Sequence, residues 1–228
     1  MAATRPARRV LEGRYIRVEP LQRGQLPELF HAIGHPAVFT GGFGGGPGGY
    51  RDTEAAFVVW ADGYFSWDTG NVCGIRLLGG PHNGALVGTS TLGDFDEKNE
   101  HAHIGWTAFA PAAWGTAVNP EEKLLMLGEA FAHGFGRVKL QADAINDRSR
   151  AAIAKLGAKF EGVIRRDRQR ADGSWRDTAV FSVLAAEWPA VRAELDARLA
   201  THDGRPLLYR STLFTPPLFT PTDAAGSE

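Results

Sequence analysis

The chain has almost no cysteine, the residue that builds disulfides and many metal centres. Cys73 is the single cysteine among 228 residues. One thiol excludes an intrachain disulfide and a cysteine-based metal site, and it suits a reducing compartment. The basic segment 1–9 also lacks the apolar stretch of a secretory signal. We therefore expect a cytoplasmic protein.

Net charge and long apolar runs are missing as well. The formal net charge of −1 at pH 7 provides no overall field that would attract nucleic acid or a membrane surface. No apolar run approaches the roughly 18 residues of a membrane-spanning helix. No Walker loop, nucleophile elbow or zinc-ligand spacing occurs. We expect a single globular domain with neither a membrane nor a nucleic-acid partner.

Glycine, in contrast, is concentrated in one segment. Residues 40–50 read TGGFGGGPGGY, with seven glycines among eleven residues. Such a segment is costly to order because glycine loses more backbone freedom on folding than any other residue. Two interpretations stay open, a mobile surface loop and a flexible rim over a substrate site.

The hydrophobic periodicity alternates between that of strands and that of helices. Period-two patterns predict seven strands, at 14–20, 72–78, 85–95, 101–109, 138–142, 158–169 and 175–184. Helical patterns and caps predict five helices, at 22–34, 52–67, 119–135, 147–156 and 188–200. Strands two to four should form a meander, and the later strand–helix units should extend it into one mixed sheet.

A turn of small residues precedes the helix at 119–135. Residues 114–119 read WGTAVN, and Asn119 is placed to cap that helix with Pro120 at its first position. Free backbone N–H groups and the positive helix end favour an anion at such a turn. A second block, 146–149, opens another helix one strand later. The two blocks indicate a cofactor with a pyrophosphate, held between two strand–helix units.

The order and spacing of several short motifs resemble those of the GCN5-related N-acetyltransferases (GNAT). The resemblance spans roughly residues 11–200 and is nearest to the RimJ- and RimL-type branch, which acetylates ribosomal-protein N-termini and many small amines. The motifs that carry it are His103-Ile104-Gly105-Trp106-Thr107, Gly115-Thr116-Ala117-Val118-Asn119, Lys123-Leu124-Leu125, Asp143-Ala144-Ile145-Asn146, Arg148-Ser149-Arg150-Ala151-Ala152-Ile153, Leu156-Gly157-Ala158, Glu161-Gly162-Val163, Asp172-Gly173, Arg176-Asp177-Thr178 and Glu187-Trp188.

The resemblance implies an α+β (mixed α/β) fold. A mostly antiparallel, mixed and twisted sheet of about seven strands would split between strands four and five, with four to five helices around it. One such domain would occupy residues 11–200. Residues 1–10 would be a disordered lead-in, and residues 201–228, which repeat Leu-Phe-Thr-Pro, would be a docked or disordered tail.

The resemblance further implies acetyl-CoA in the split, with its pyrophosphate on the backbone of residues 114–118, and no metal. Ala112 stands where relatives carry a polar side chain, but the backbone donors remain. The implied cofactor-binding residues are Ile104, Trp106, Thr107, Trp114, Gly115, Thr116, Ala117, Val118, Asn119, Asn146, Ser149 and Arg150. Either Arg148 or Arg150 would approach the adenosine 3′-phosphate.

The implied activity is that of an N-acetyltransferase, in which a primary amine of a small molecule or a peptide N-terminus attacks the thioester in a ternary complex. His103 stands where many relatives have a glutamate general base. A neutral imidazole, with an ordinary pKa of about 6.5, can take that proton. Ser149 would protonate the leaving thiolate. The acceptor-binding candidates are Phe43, Tyr64, Trp67 and His101.

Several alternatives stay open. His103 is either the base or a passive hydrogen-bonded residue, with His101 as a second candidate on the same strand face. A metal bound by His101 and His103 lacks a third ligand. The aromatic residues of 57–67 are typical of a core stripe. The protein as a whole is then an acetyltransferase, a non-catalytic acyl-CoA sensor, or an interaction protein, and a homodimer is common in the resembled family.

Overall fold

The computed structural model describes residues 2–209, and Met1 and residues 210–228 lie outside the described part. The strands are β1 (Leu11–Glu12), β2 (Ile16–Pro20), β3 (Asn71–Leu77), β4 (Leu86–Asp96), β5 (His101–Phe109), β6 (Arg137–Asp143), β7 (Lys159–Gln169) and β8 (Trp175–Leu184). The helices are α1 (Leu26–Ile33), α2 (Pro36–Thr40), α3 (Glu54–Tyr64), α4 (Val118–Ala132), α5 (Asp147–Ala154) and α6 (Trp188–Ala200).

One eight-stranded sheet has the order β1-β2-β3-β4-β5-β6-β8-β7. Its neighbours are antiparallel except for β5 and β6, which are parallel. The predicted mixed, mostly antiparallel sheet is therefore confirmed. The strand beyond the seven predicted is the two-residue β1, which is too short to leave a periodic signal.

The sheet divides between β5 and β6. These strands pair only where residues 101–103 face residues 137–139, and no pairing continues beyond His103 and Lys139. A register shift against β4 gives β5 one extra residue between Gly105 and Ala108, and this bulge, with a positive φ of 51° at Trp106, bends β5 in this region. The predicted split is confirmed, and its physical cause is the bulged course of β5.

The two faces of the sheet carry separate hydrophobic clusters. Leu86 and Val87 are neighbours in β4 but belong to different clusters, as the alternation of strand side chains requires. One cluster packs under α4 and α6, and the other packs under α1 and α3. Phe57 and Phe65 of the aromatic stripe are buried in the second cluster, which confirms the core interpretation of that stripe.

The glycine-rich segment is packed rather than loose. The backbone at Gly42, Gly44, Gly45 and Gly46 has positive φ, which glycine adopts without strain. A Cβ on Gly44 would lie 2.7 Å from the indole of Trp60. The carbonyl of Gly45 accepts the N–H of Ala171 at 3.1 Å, so the segment lies against the tip of the β7–β8 hairpin.

The start of α4 differs from the prediction. The helix begins at Val118, and Asn119 lies inside its first turn, so the prediction of Asn119 as the cap was wrong. The hydroxyl of Thr116 instead accepts the N–H of Val118 at 3.3 Å. A threonine two residues before the helix thus supplies the oxygen that the asparagine was expected to supply.

The lead-in is not disordered, contrary to the prediction. Ala3 is buried, and the N–H of Thr4 donates to the carbonyl of His133 at 3.0 Å. Arg9 donates two hydrogen bonds to the buried carboxylate of Glu129, at 3.0 and 2.5 Å. Composition could not predict these contacts, because the partners lie more than one hundred residues away in the sequence.

The first part of the tail docks on the domain. The N–H of Tyr209 donates to the carbonyl of Ala112 at 2.8 Å, and Leu207 and Leu208 pack against the larger cluster. The two Leu-Phe-Thr-Pro repeats lie in 210–228, outside the described residues. None of the helices within residues 2–209 is long and apolar enough to cross a bilayer.

A buried carboxylate fastens the start of β2 to α4. Glu121 accepts the N–H groups of Arg14, Tyr15 and Ile16 at 2.7, 2.7 and 2.8 Å. Arg14 and Tyr15 belong to the turn before β2, and Ile16 is the first residue of that strand. The carboxylate therefore holds the start of β2 against α4.

We predict that Glu121→Gln lowers the free energy of unfolding by about 1–3 kcal/mol, because an amide offers one acceptor oxygen and turns an N–H2 group toward backbone donors. Urea denaturation would measure the change. Glu12→Gln, at an exposed position whose carboxyl forms no hydrogen bond within residues 2–209, should change stability by less than about 0.5 kcal/mol. Equal stabilities for both variants would contradict this role of Glu121.

Candidate active site

A cavity of about 340 Å³ occupies the split between β5 and β6. Its walls come from elements on both sides of the split and on both faces of the sheet. They are residues 103–109 of β5, the turn at 113–115, Asn119 and Lys123 of α4, residues 140–143 of β6, Asn146, Arg148, Ser149, Ala152, Ile153 and Leu156 in and around α5, and Val38, Gly41, Gly42, Phe43, Tyr64, Arg168 and Arg176.

The turn before α4 presents unused backbone donors to this cavity. Within residues 2–209, the N–H groups of Gly115, Ala117 and Asn119 have no acceptor. Gly115 has φ of 76°, and no atom would lie within 4 Å of a Cβ there. Open space, free donors and a helix N-terminus together favour a bound anion.

Arg148 adds a positive charge beside this turn. Its guanidinium lies over the ring of Trp114, with Cζ 3.9 Å from the ring centroid. Burial lowers its pKa, and it forms no ion pair with any described residue. Arg150 is different, because it does not line the cavity and donates to the carbonyl of Ala144 at 3.2 Å. Of the two arginines predicted near the 3′-phosphate, the structure brings only Arg148 to the cavity.

His103 lies at the closed end of the split. It is only 2% exposed, and its Nδ1 lies 2.9 Å from Oδ2 of Asp94 on β4. The hydrogen bond from His103 lowers the pKa of Asp94 to about 2, with a further contribution from Lys139, whose Nζ lies 3.4 Å away. The ionised carboxylate can only accept, so Nδ1 carries the proton and donates it.

The other nitrogen of this imidazole is free. Nε2 of His103 is buried without a hydrogen-bond partner among the described residues. A Cβ on Gly105 would lie 2.7 Å from it, so only glycine leaves the space in front of the ring. Burial lowers the pKa of His103, Asp94 opposes that shift, and the positive charges of Lys139 and Arg168 add to it. At neutral pH the imidazole is uncharged, and Nε2 offers a lone pair.

A buried polar chain lies behind the other wall of the cavity. Lys123 pairs with Glu122, and its Nζ also donates to Oγ1 of Thr107 at 3.3 Å. Oγ1 of Thr107 in turn lies 2.8 Å from Oγ of Ser90. These contacts fix Thr107, and with it the bent part of β5, against α4.

The structure brings most of the residues expected from the sequence to the cavity and excludes six of them. Those that line it are Phe43, Tyr64, His103, Ile104, Trp106, Thr107, Trp114, Gly115, Asn119, Asn146 and Ser149. Those that do not are Trp67, His101, Thr116, Ala117, Val118 and Arg150.

Each excluded side chain has a local reason. Trp67 is in the hydrophobic core and donates its Nε1–H to the carbonyl of Asp62 at 2.9 Å. His101 is exposed in the part of β5 that still pairs with β6. Thr116 to Val118 are buried behind the turn, and of their backbone N–H groups only that of Ala117 has no acceptor within residues 2–209. The side chain of Arg150 donates to the carbonyl of Ala144 at 3.2 Å.

Sequence reasoning did not find Asp94, Lys139 or the arginines Arg168 and Arg176. Arg176 stands in one of the motifs that carry the resemblance, but no site role followed from it there. The positions of all four residues follow from the pairing of strands that are distant in the sequence. Within residues 2–209, no group of three or more His, Cys, Asp or Glu side chains is arranged to hold a metal.

Comparison with known proteins agrees with this geometry. The family model described as "Acetyltransferase (GNAT) domain" matches residues 16–159. A GCN5-related N-acetyltransferase from Brucella melitensis is 29% identical, with a TM-score of 0.77, and the match covers 87% of this chain and 88% of that chain. A T. thermophilus protein classed with the acetyltransferases is 32% identical, with a TM-score of 0.73, covering 86% of this chain and 100% of that one.

A more distant solved structure shows the same fold. It is Mycobacterium smegmatis RimJ in complex with CoA-disulfide, 19% identical, with a TM-score of 0.59 over 80% of this chain and 88% of that chain. At this identity the likeness concerns the fold alone. No protein of curated function matches the chain.

The loss of stability at low pH should depend in part on the protonation of Asp94. Its pKa falls from an ordinary 3.8 to about 2 in the folded protein, so its stabilisation is complete above pH 3.8 and is lost as the pH falls to about 2. We predict that Asp94→Asn is less stable than the native protein at neutral pH and loses less stability between pH 4 and 2.

Chemical denaturation at a series of pH values would measure both effects. The matched control is Asp68→Asn, at an exposed aspartate whose carboxyl forms no hydrogen bond within residues 2–209. If Asp94→Asn loses as much stability between pH 4 and 2 as the native protein does, the carboxylate does not hold His103 as described.

Proposed function

The chain belongs to the GNAT family of acetyltransferases, and on that premise we propose that it transfers the acetyl group of acetyl-CoA to a primary amine of a small molecule or a peptide. The observation that carries the proposal is the free, buried Nε2 of His103 at the cavity wall, with Nδ1–H held by Asp94. Such a nitrogen is well placed, and it is unprotonated, as a general base needs to be.

The residues around the split fit acetyl-CoA, which supplies an acetyl thioester that an amine converts to an amide and a free thiol. The free N–H groups of Gly115, Ala117 and Asn119 would hold its diphosphate at the start of α4. Arg148, which lacks an anionic partner among the described residues, would meet a phosphate of the nucleotide. These unpaired donors and this unpaired cation are what an anionic cofactor requires.

His103 would remove the proton that the attacking amine must lose. Nε2 accepts it, directly or through one water, and the ionised Asp94 stabilises the imidazolium that forms. The positive charges that lower the pKa of His103 would also lower that of an acceptor ammonium nearby. The field of the site thus supplies the amine in its neutral, nucleophilic form.

The open edge of β5 would stabilise the negative charge that develops on the acetyl oxygen. Within residues 2–209, β5 has no strand partner on its β6 side beyond His103, so the N–H groups of 104–107 that face this side are free to donate. Ser149, whose hydroxyl lines the cavity on the β6 side, would return a proton to the thiolate. Proximity of amine and thioester in one cavity would account for most of the rate gain.

A narrower proposal concerns which class of amine the enzyme acetylates. The motif spacing and the shared fold with RimJ support a RimJ- or RimL-type N-terminal acetyltransferase. The alternative is a non-catalytic acyl-CoA sensor, which replacement of the usual glutamate by His103 would explain. Turnover with any amine separates the alternative from the enzyme.

We predict that His103→Ala lowers kcat by about 10²- to 10⁴-fold, the usual contribution of a general base, with an unchanged Kd for acetyl-CoA. Thiol release measures the first quantity and calorimetry the second. Native activity should persist below pH 6.5, because the pKa of His103 is lowered. His101→Ala, at an exposed histidine on the same strand, should behave like the native protein.

The outcomes separate the candidate functions. Binding of acetyl-CoA without turnover of any amine would favour the sensor. Equal activity of the two histidine variants would remove His103 from catalysis. Failure to bind acetyl-CoA at all would overturn the assignment of the cavity.

Arg148 provides an independent test of the cofactor site. We predict that Arg148→Met weakens acetyl-CoA binding about tenfold to a hundredfold, the range expected for one charge-assisted hydrogen bond. Arg150→Met is the control on the same helix, since that side chain does not line the cavity. Calorimetry should show the loss in the first variant only, and equal affinities would contradict the placement.

A further inference from the structure

Two arginines of the β7–β8 hairpin stand side by side with no structural reason to do so. Arg168 and Arg176 are directly opposite each other in the antiparallel register. Both line the main cavity, and both line an adjoining cavity of about 280 Å³. Like charges at directly opposed strand positions repel and destabilise a hairpin. The pair therefore costs stability unless an anion lies between the two guanidinium groups.

The local backbone puts the pair on one face. Between Ile164 and Arg168, β7 gains two residues relative to its partner, and Arg166 has φ of 52°. The N–H of Arg166 is held by the carboxylate of Asp177 at 2.7 Å. A bulge of this kind turns the following side chains, and here it brings Arg168 to the side of Arg176.

The nearby carboxylates leave part of the arginine pair without a partner. Both oxygens of Asp143 accept from Arg170, at 2.7 and 2.9 Å. Asp167 accepts from Nε of Arg168 at 3.1 Å, which leaves the terminal nitrogens of that guanidinium free. Arg176 forms no hydrogen bond or ion pair within residues 2–209, and its Nε is buried without a partner.

The adjoining cavity has a net positive lining. Three arginines and one aspartate line it, together with Tyr64, Gln169 and residues of the glycine-rich segment. The hydrogen bond from Ala171 to Gly45 closes its outer side. None of the residues of the turn at 113–119 reaches this cavity, so it is separate from the place where the nucleotide of the cofactor would lie.

We propose that Arg168 and Arg176 bind an anionic group, a carboxylate or a phosphate, on the acceptor amine. This inference rests on the proposed acetyltransferase function and specifies its acceptor class. Paired guanidinium groups match the geometry of both anions. His103 and the two arginines line one cavity, so an acceptor of this class can place its amine at the base while its anion neutralises the pair.

Matched acceptor pairs test the proposal. Phenylalanine is compared with phenylalaninamide, and O-phosphoethanolamine with ethanolamine, by thiol release with acetyl-CoA. The member with the anion should have a kcat/KM about tenfold or more above that of the neutral member in at least one pair. The first pair reports a carboxylate site and the second a phosphate site. The absence of a preference in both pairs, with measurable turnover, would overturn the proposal.

Three variants locate the effect. Arg176→Met and Arg168→Met should raise KM for the anionic acceptor about tenfold or more, with little change for the neutral one and little change in kcat. Arg165→Met, at an exposed arginine of the same strand, should keep the native preference. An unchanged preference in both test variants would overturn the proposal, and so would a loss of acetyl-CoA affinity equal to the loss for the acceptor.

A binding measurement keeps this inference separate from the proposed function. The protein saturated with CoA is titrated with N-acetylphenylalanine and N-acetylphenylalaninamide, and with O-phosphoethanolamine and ethanolamine, by calorimetry. Tighter binding of an anionic member, lost in Arg176→Met, would support the anion site even if no amine is acetylated. Equal binding within both pairs would refute it, whatever the activity.

Discussion

The carboxylate of Asp94 joins three strands at the point where the sheet divides. It belongs to β4, accepts the Nδ1–H of His103 on β5, and attracts the ammonium group of Lys139 on β6. His103 and Lys139 are also the last residues that β5 and β6 pair before they separate. One ionised group therefore fixes the closed end of the split, holds the imidazole in a single tautomer and leaves Nε2 free. The closed end of the cavity and the position of the proposed base depend on this contact.

The split allows elements on both faces of the sheet to line one cavity, which an intact sheet would prevent. Two hydrophobic clusters occupy opposite faces, and a continuous sheet would keep apart anything bound on them. Where β5 bends away, the turn before α4 on one face and Tyr64 on the other line the same cavity. The bend is stabilised by polar contacts inside the fold, among them those of Lys123 with Glu122 and Thr107. Buried polar groups of this kind are costly unless satisfied, so they favour one arrangement of the strands.

The sequence predicted the elements well and the site only in part. Periodicity located the seven longer strands within a few residues, because alternation along a strand is a local property. The turn at 114–119 was recognisable for the same reason, although Thr116, and not Asn119, supplies the capping oxygen. The roles of Asp94, Arg168 and Arg176 were not predicted, because their positions follow from strand register and from a bulge, which no short window of sequence records. The contacts of Arg9 were not predicted for a similar reason, since the Glu129 carboxylate that binds it lies on a helix distant in the sequence.

The acceptor side and the nucleotide side of the cavity can change in sequence at different rates. The hydrogen bond from Ala171 to Gly45 lies on the acceptor side, where it holds the hairpin tip against the glycine-rich segment. The hairpin tip, residues 169–171, lines the adjoining cavity and not the one at the turn before α4. Substitutions at this tip would reshape the entrance while the nucleotide-facing half stayed intact. A change of acceptor then requires neither a new cofactor site nor a new base. Substrate preference can therefore change through a few substitutions at the rim of the cavity.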